Sequence, residues 1–258
     1  VLFKWIDHPS FRKHEQMMAI LYEMGMADKR QLQTVTGWSL RTIRWAIEKI
    51  RAKGATPEEK DEWVRSIPLP KRTSPREVAY ALGRMGIRYV QDMMEEQQHA
   101  REAPEAQVKH FLGINDILIR VMEKVPREDL VWLSSAEATD LLLRTWERRR
   151  EERDKRYFIR PDARLGIRDR RYWIEYDNDT EGARKLERKF HGYVHLNDST
   201  PVVWVAPNEK RRDYLQTLWK NTVKAFYSNN QSVPEMHFFV AGKETPFLTK
   251  EETEAVLV

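Results

Sequence analysis

Two short segments constrain this chain most: Ile159-Arg160-Pro161-Asp162-Ala163, and Trp173-Ile174-Glu175-Tyr176-Asp177, with thirteen residues from Asp162 to Glu175. They lie in strand-forming runs at 157–167 and 171–176, and the arginine-rich stretch 168–171 between them suits a turn, so the pair predicts a β-hairpin. Alternation along the second strand puts Trp173, Glu175 and Asp177 on one face, with Ile174 and Tyr176 on the other. Closing the turn returns Asp162 to a position opposite Glu175 to Asp177. Three carboxylates that close repel one another unless a cation lies among them. Magnesium or manganese, which take carboxylate and water oxygens, would relieve that repulsion. Such an ion would activate water and stabilise charge on a phosphodiester. Asp162, Glu175 and Asp177 are therefore the expected metal ligands, with Glu137 as a further acid.

The segment after the hairpin reads as a helix over 180–195. It carries Lys185, Lys189 and Tyr193 at four-residue spacing, hence on one stripe. A lysine there would neutralise a phosphate or position the attacking oxygen. Tyr193 would serve as a covalent nucleophile or, as is commoner for a helical tyrosine, pack or stack. The plainer alternative for the acids is pairing with Arg164, Arg168, Arg170, Arg171 and Arg184 as surface bridges.

Around this hairpin, expected elements are a helix at 105–124, a strand at 130–134, an acidic-basic segment at 147–156, a strand at 201–206, a helix at 208–227 and a last strand at 236–240. The order α-β-β-β-α-β, with an added α-β, predicts a mixed α/β sheet covered by helices, in a chain of α+β class. The charged stretch 95–105 suggests a boundary between a domain at 1–98 and another at 99–258.

The first domain has a different pattern. Met17, Met18, Ile20, Leu21 and Met24 form an apolar stripe on a helix over 14–26 that Gly25 ends. Asp28 caps a second helix holding Leu32 and Val35, closed by Gly37. Ser39 caps a third, with Leu40, Ile43, Ile47 and Ile50 as its core stripe. A proline-punctuated stretch at 55–76, flanked by strand candidates at 63–67 and 78–82, suits a wing, and a helix at 85–94 follows. Three short helices with a tight turn before the third predict a winged helix-turn-helix. Its recognition helix would lie in the major groove of double-stranded DNA and turn Arg41, Thr42, Arg44, Trp45 and Lys49 outward, with Lys71 and Arg72 on the wing. Between Arg12 and Lys53, nine lysines and arginines face four acids. Winged helices also dock proteins, so this charge favours DNA without demanding it. Helix-turn-helix proteins often read paired half-sites, which makes a homodimer compatible with the pattern.

Composition sets the outer limits. The chain has 258 residues, 41% hydrophobic and 33% charged, with net charge +5 and pI near 9.3. A polyanionic partner is favoured. The absence of cysteine excludes disulfides and thiolate metal sites. No apolar run approaches the roughly 20 residues needed to cross a bilayer, and Val1-Leu2-Phe3-Lys4-Trp5 lacks the apolar core of a signal peptide. A cytoplasmic protein without membrane contact is expected.

At these residues the chain resembles the PD-(D/E)xK nuclease superfamily, and more closely the replication-relaxation family of plasmids and other mobile elements. The likeness is carried by the winged-helix start, the segment from His110 through Asn115 and Asp116, the Pro161-Asp162 pair, and the run from Ile174 to Thr180 followed by Lys189 and Tyr193. It covers about residues 14 to 206. The resemblance implies a restriction-endonuclease-like αβββαβ second domain and a role in replicating, relaxing or nicking mobile-element DNA alongside replication or transfer proteins. It also assigns Asp162 and Glu175 to the superfamily's metal-binding acids. Asp177 stands where that superfamily has its lysine, so catalysis would need Lys189 or Lys185 to supply the amine from the helix. Without that, the second domain would be a degenerate nuclease fold used for dimerisation or partner contact. His110, Asn115 and Asp116 match the family's pattern and, on a largely apolar helix, are expected to pack and cap, or else to contribute to a cleft.

Overall fold

A computed structural model describes residues 2–69, 77–95, 103–148, 158–196, 198–227 and 233–250. The chain forms two compact units, Val1–Ile119 and Arg120–Val258. The boundary expected at 98/99 lies outside the described residues, as do Lys71 and Arg72 on the expected wing.

In the first unit, α1 (Lys13–Met24) buries Met17, Met18, Ile20, Leu21 and Met24, the stripe its spacing predicts. Gly25 ends it at φ 68°, where a side chain would be strained and a Cβ would come within 2.9 Å of the Phe111 ring. A two-residue strand, β1 (Ala27–Asp28), leads into α2 (Lys29–Thr36), which the Asp28 carboxylate caps at the Gln31 N–H. After Gly37, Trp38 and Ser39, α3 (Leu40–Arg51) begins, and its Thr42 N–H donates to the Ser39 hydroxyl at 3.2 Å. Ile43, Ala46, Ile47 and Ile50 are buried. Leu40, expected in that stripe, is 45% exposed. As the first helical residue it has no preceding turn to pack on.

A helix that the sequence did not predict follows, α4 (Pro57–Trp63). It buries no residue, so it has no apolar period; Thr56 and Glu59 form a capping box around Pro57. Then come β2 (Val64–Pro68), β3 (Val78–Leu82) and α5 (Arg84–Met94). β3 lies between β1 and β2 in an antiparallel sheet, with Val64 opposite Leu82 and Ala27 opposite Tyr80.

The division between the units falls within α6 (Val108–Met122). In the first unit, the buried Asn115 amide donates to the carbonyls of Met24, at 3.2 Å, and Met26, at 2.5 Å. Asp116 accepts from Gln31 Nε2 at 2.6 Å and pairs with Arg30. These side chains pin α6 to α2 and to the backbone at and just past the end of α1, where the Met24 carbonyl also accepts from the Met26 N–H at 2.8 Å.

The second unit contains β4 (Leu130–Ser134), α7 (Ser135–Arg148), β5 (Ala163–Ile167), β6 (Arg170–Tyr176), α8 (Ala183–Leu196), β7 (Val202–Ala206), α9 (Glu209–Tyr227), β8 (Met236–Val240) and α10 (Thr245–Leu248). The sheet runs β4-β5-β6-β7-β8; the first three strands are antiparallel, and β6, β7 and β8 are parallel to one another. Parallel pairing requires crossovers, which α8 and α9 supply. α7 is a second helix the sequence did not predict, and α10 is a third. The Ser134 N–H and hydroxyl both donate to the Glu137 carboxylate at 2.7 Å, so Glu137 caps this helix. Of the acidic-basic segment at 147–156, residues 149–156 lie outside the described residues.

One sheet face, with Trp173 and Trp204, packs on Leu186, Phe190 and Tyr193 of α8 and on Leu215 and Trp219 of α9. Phe190 meets the two tryptophans Trp204 and Trp219 edge-on at 5.0 and 5.3 Å. On the other face, Phe247 of α10 packs on Tyr172 and His237. The buried Glu244 carboxylate before α10 accepts from Arg120 Nε and the Gly242 N–H, each at 2.7 Å. No helix among the described residues is long and apolar enough to cross a membrane.

Candidate functional site

The first candidate surface is the outer face of α3. Arg41, Arg44, Trp45 and Lys49 are exposed and Thr42 is half-exposed, while the opposite side of the helix is buried. Glu48 shares the exposed side. Trp45 stands 47% exposed, with the His14 ring edge-on at 6.4 Å and the Lys49 ammonium 5.9 Å from its ring centre. Three cations and an uncovered indole on a short helix suit a phosphate backbone and base edges.

The second is the cluster on the face of β6 that meets α8. Ala163 pairs with Ile174 and Arg164 with Trp173, so the register carries Asp162 to Glu175, on the same face. Asp162 Oδ2 accepts from the Tyr176 N–H at 2.8 Å. Glu175 is fully buried. Lys189 Nζ donates to Glu175 Oε2 and the Tyr193 hydroxyl donates to Oε1, both at 2.5 Å. The ammonium also lies 5.3 Å from the Trp204 ring centre, on the strand residue paired with Glu175. Asp162, Glu175, Lys189 and Tyr193 are thus brought together.

Asp177 is drawn elsewhere. β6 ends at Tyr176, but the Asp177 N–H still donates to the Val205 carbonyl at 3.0 Å, and the side chain there is taken by a cation from α9. The Asp177 carboxylate accepts from Arg211 at 2.7 Å and from the Asp179 N–H at 2.6 Å. Arg211 sits in the first turn of α9, which Asn208 caps, and also donates to the Glu181 carbonyl at 2.6 Å. No short motif marks Arg211. Lys185 pairs with Glu181 in the exposed turn of α8. Arg168 pairs with Asp129 at 3.0 Å and Arg164 lies over the Trp173 ring, so the cations on Glu175 and Asp177 are Lys189 and Arg211.

A family model described as replication-relaxation matches residues 18–204, most of the chain. The chain belongs to the replication-relaxation family. No curated protein and no solved structure matched it. The replication-relaxation match contains α3, the Asn115–Asp116 clamp and all four residues of the cluster, and it ends seven residues before Arg211.

Charge explains how this family member tolerates its buried cluster. Burial pushes the Glu175 carboxyl well above the usual carboxylate range, against the pull of Lys189. Burial alone would lower the Lys189 ammonium, but Asp162 and Glu175 outweigh it and hold it above its ordinary value. Burial and then Glu175 raise the Tyr193 hydroxyl far above the ordinary tyrosine value, so it stays a donor. The Lys189 ammonium and the Tyr193 hydroxyl offset that burial by donating to the two Glu175 oxygens.

These residues do not fit a divalent ion as they stand. Both Glu175 oxygens are occupied by internal donors, and Asp177 is held by Arg211. Among the described residues no group of three or more His, Cys, Asp or Glu side chains is placed to hold a metal ion.

Proposed function

We propose that the chain is a duplex-DNA-binding factor in the replication or relaxation of a plasmid or other mobile element. In this reading the first unit is a winged helix-turn-helix that lays α3 in the major groove. The second is a restriction-endonuclease-like fold used without catalysis, for self-association or contact with replication or transfer proteins. The observation that carries the DNA-binding role is the outward face of α3, with Arg41, Arg44 and Lys49 around an exposed Trp45. The filled oxygens of Glu175 favour the non-catalytic role of the second unit. Fluorescence anisotropy with a labelled random-sequence duplex tests the first part. Binding that weakens steeply with salt supports it; no binding at low salt rejects it.

A second reading, a magnesium- or manganese-dependent nickase, is favoured by one observation: Asp162, Glu175 and Lys189 share one face. Incubation with supercoiled plasmid and manganese separates the two. Nicking that disappears in Asp162→Ala supports the nickase; intact supercoils in the presence of DNA binding support the non-catalytic factor.

A further inference from the structure

We infer that Lys189 is the resident cation of the second unit's carboxylate cluster: its side chain takes the place that a divalent ion would occupy beside Asp162 and Glu175, keeps the wild-type chain metal-free there, and masks a latent divalent-cation site.

Three features of the geometry carry this. Asp162, the residue before β5, continues that strand's register to Glu175 and accepts from the Tyr176 N–H, which sets two carboxylates side by side where they demand a positive charge. That charge comes from the chain itself. Lys189 extends from α8 to within 2.5 Å of Glu175 and is steadied against the Trp204 ring, with its side chain only 17% exposed. The remaining Glu175 oxygen is closed by the Tyr193 hydroxyl, which is itself buried. For a divalent ion to enter, the ammonium would have to leave its contacts with both an acid and an indole, and Glu175 would have to give up the hydroxyl or share an oxygen. Ammonium and divalent ion are thus alternatives at one place. The chemistry of the latent site is that of a hard, oxygen-preferring ion, because carboxylates and a phenol surround it and the chain has no cysteine.

The inference stands independently of DNA binding by the first unit. Its test uses the full chain, with terbium as a luminescent probe excited through tryptophan and with manganese in thermal melts. Wild-type protein is expected to show no saturable terbium luminescence and no manganese-dependent rise in melting midpoint. Lys189→Ala is expected to gain both, and Asp162→Asn/Lys189→Ala to lose the gain. If Lys189→Ala does not fold, Lys189→Met keeps the packing over Trp204 and is measured in its place. Saturable binding by the wild type that disappears in Asp162→Asn would overturn the inference and favour the nickase. A folded lysine variant that binds neither ion would overturn it as well.

Discussion

The Arg211 guanidinium holds the Asp177 carboxylate at 2.7 Å, joining the first turn of α9 to the end of β6. Both side chains are nearly excluded from solvent, at 11% and 1% exposure. The bridge therefore belongs to the buried class, in which removing one partner strands the other's charge.

Asp177→Ala and Arg211→Ala are each expected to destabilise the fold by about 3–5 kcal/mol. The double variant should cost less than the two singles together, with a coupling of about 1–3 kcal/mol. Urea unfolding of the four proteins measures this. Additive losses would show that the contact adds little beyond the packing of each side chain.

Alkaline pH should act on the Glu175 cluster. Lys189 and Tyr193 both have folded-state values raised above their ordinary 10.5 and 10.0. Above about pH 10 the unfolded chain therefore binds fewer protons than the folded one, and stability falls as pH rises. Their contribution is fully present below that range. Thermal melts across pH 8 to 11, about the range of these ordinary values, should show a shallower alkaline decline in Tyr193→Phe than in wild type. Parallel curves would mean that another group governs the decline.

On α3, Arg41→Ala and Arg44→Ala should each weaken a selected high-affinity duplex by about 1–3 kcal/mol if they meet bases. Lys49→Ala should weaken all duplexes alike and reduce the salt slope by about 1. Anisotropy titrations at several salt concentrations distinguish the two behaviours. Unchanged affinity in both arginine variants would move recognition away from this face.

Asn115→Ala removes the amide that serves the carbonyls of Met24, the last residue of α1, and of Met26 beyond it. A loss of about 1–3 kcal/mol is expected from withdrawing a buried donor from these carbonyls, of which Met24's keeps the Met26 N–H. Asn115→Asp should be no better, because a carboxylate offers those carbonyls no donor when ionised. Chemical denaturation reads both variants; an Asp variant as stable as wild type would contradict the clamp.

Local signals carried much of this architecture. Asp28 and Ser39 cap the helices their positions predict, and β8 spans the expected residues 236–240. Strand register placed Asp162 against Glu175, and four-residue spacing placed Lys189 and Tyr193 on one stripe. The failures have physical causes. α4 buries nothing and shows no apolar period, although Thr56, Pro57 and Glu59 announce its start. Ser134 and Glu137 have the spacing of a capping box, and that role holds the Glu137 carboxylate at the start of α7, where the sequence reading makes it a further acid of the site. Asp177 continues the ladder to β7 through its N–H, yet its carboxylate is claimed by Arg211 instead of joining Lys189. Arg211 lies 34 positions beyond Asp177 and meets it only after α9 docks, a non-local event that no short motif encodes.

The hairpin that joins β5 to β6 makes chain length a stricter constraint than chemistry. Adding or deleting one residue near Asp169 would shift the strands by half a pleat repeat, turning the acid of one strand toward the side opposite its neighbour. Substitutions at that bend leave this parity intact. Within the left-handed backbone that Arg168 adopts at φ 53°, the loop can therefore change composition at less cost than it can change count, and odd-numbered changes there should be more damaging than a single replacement.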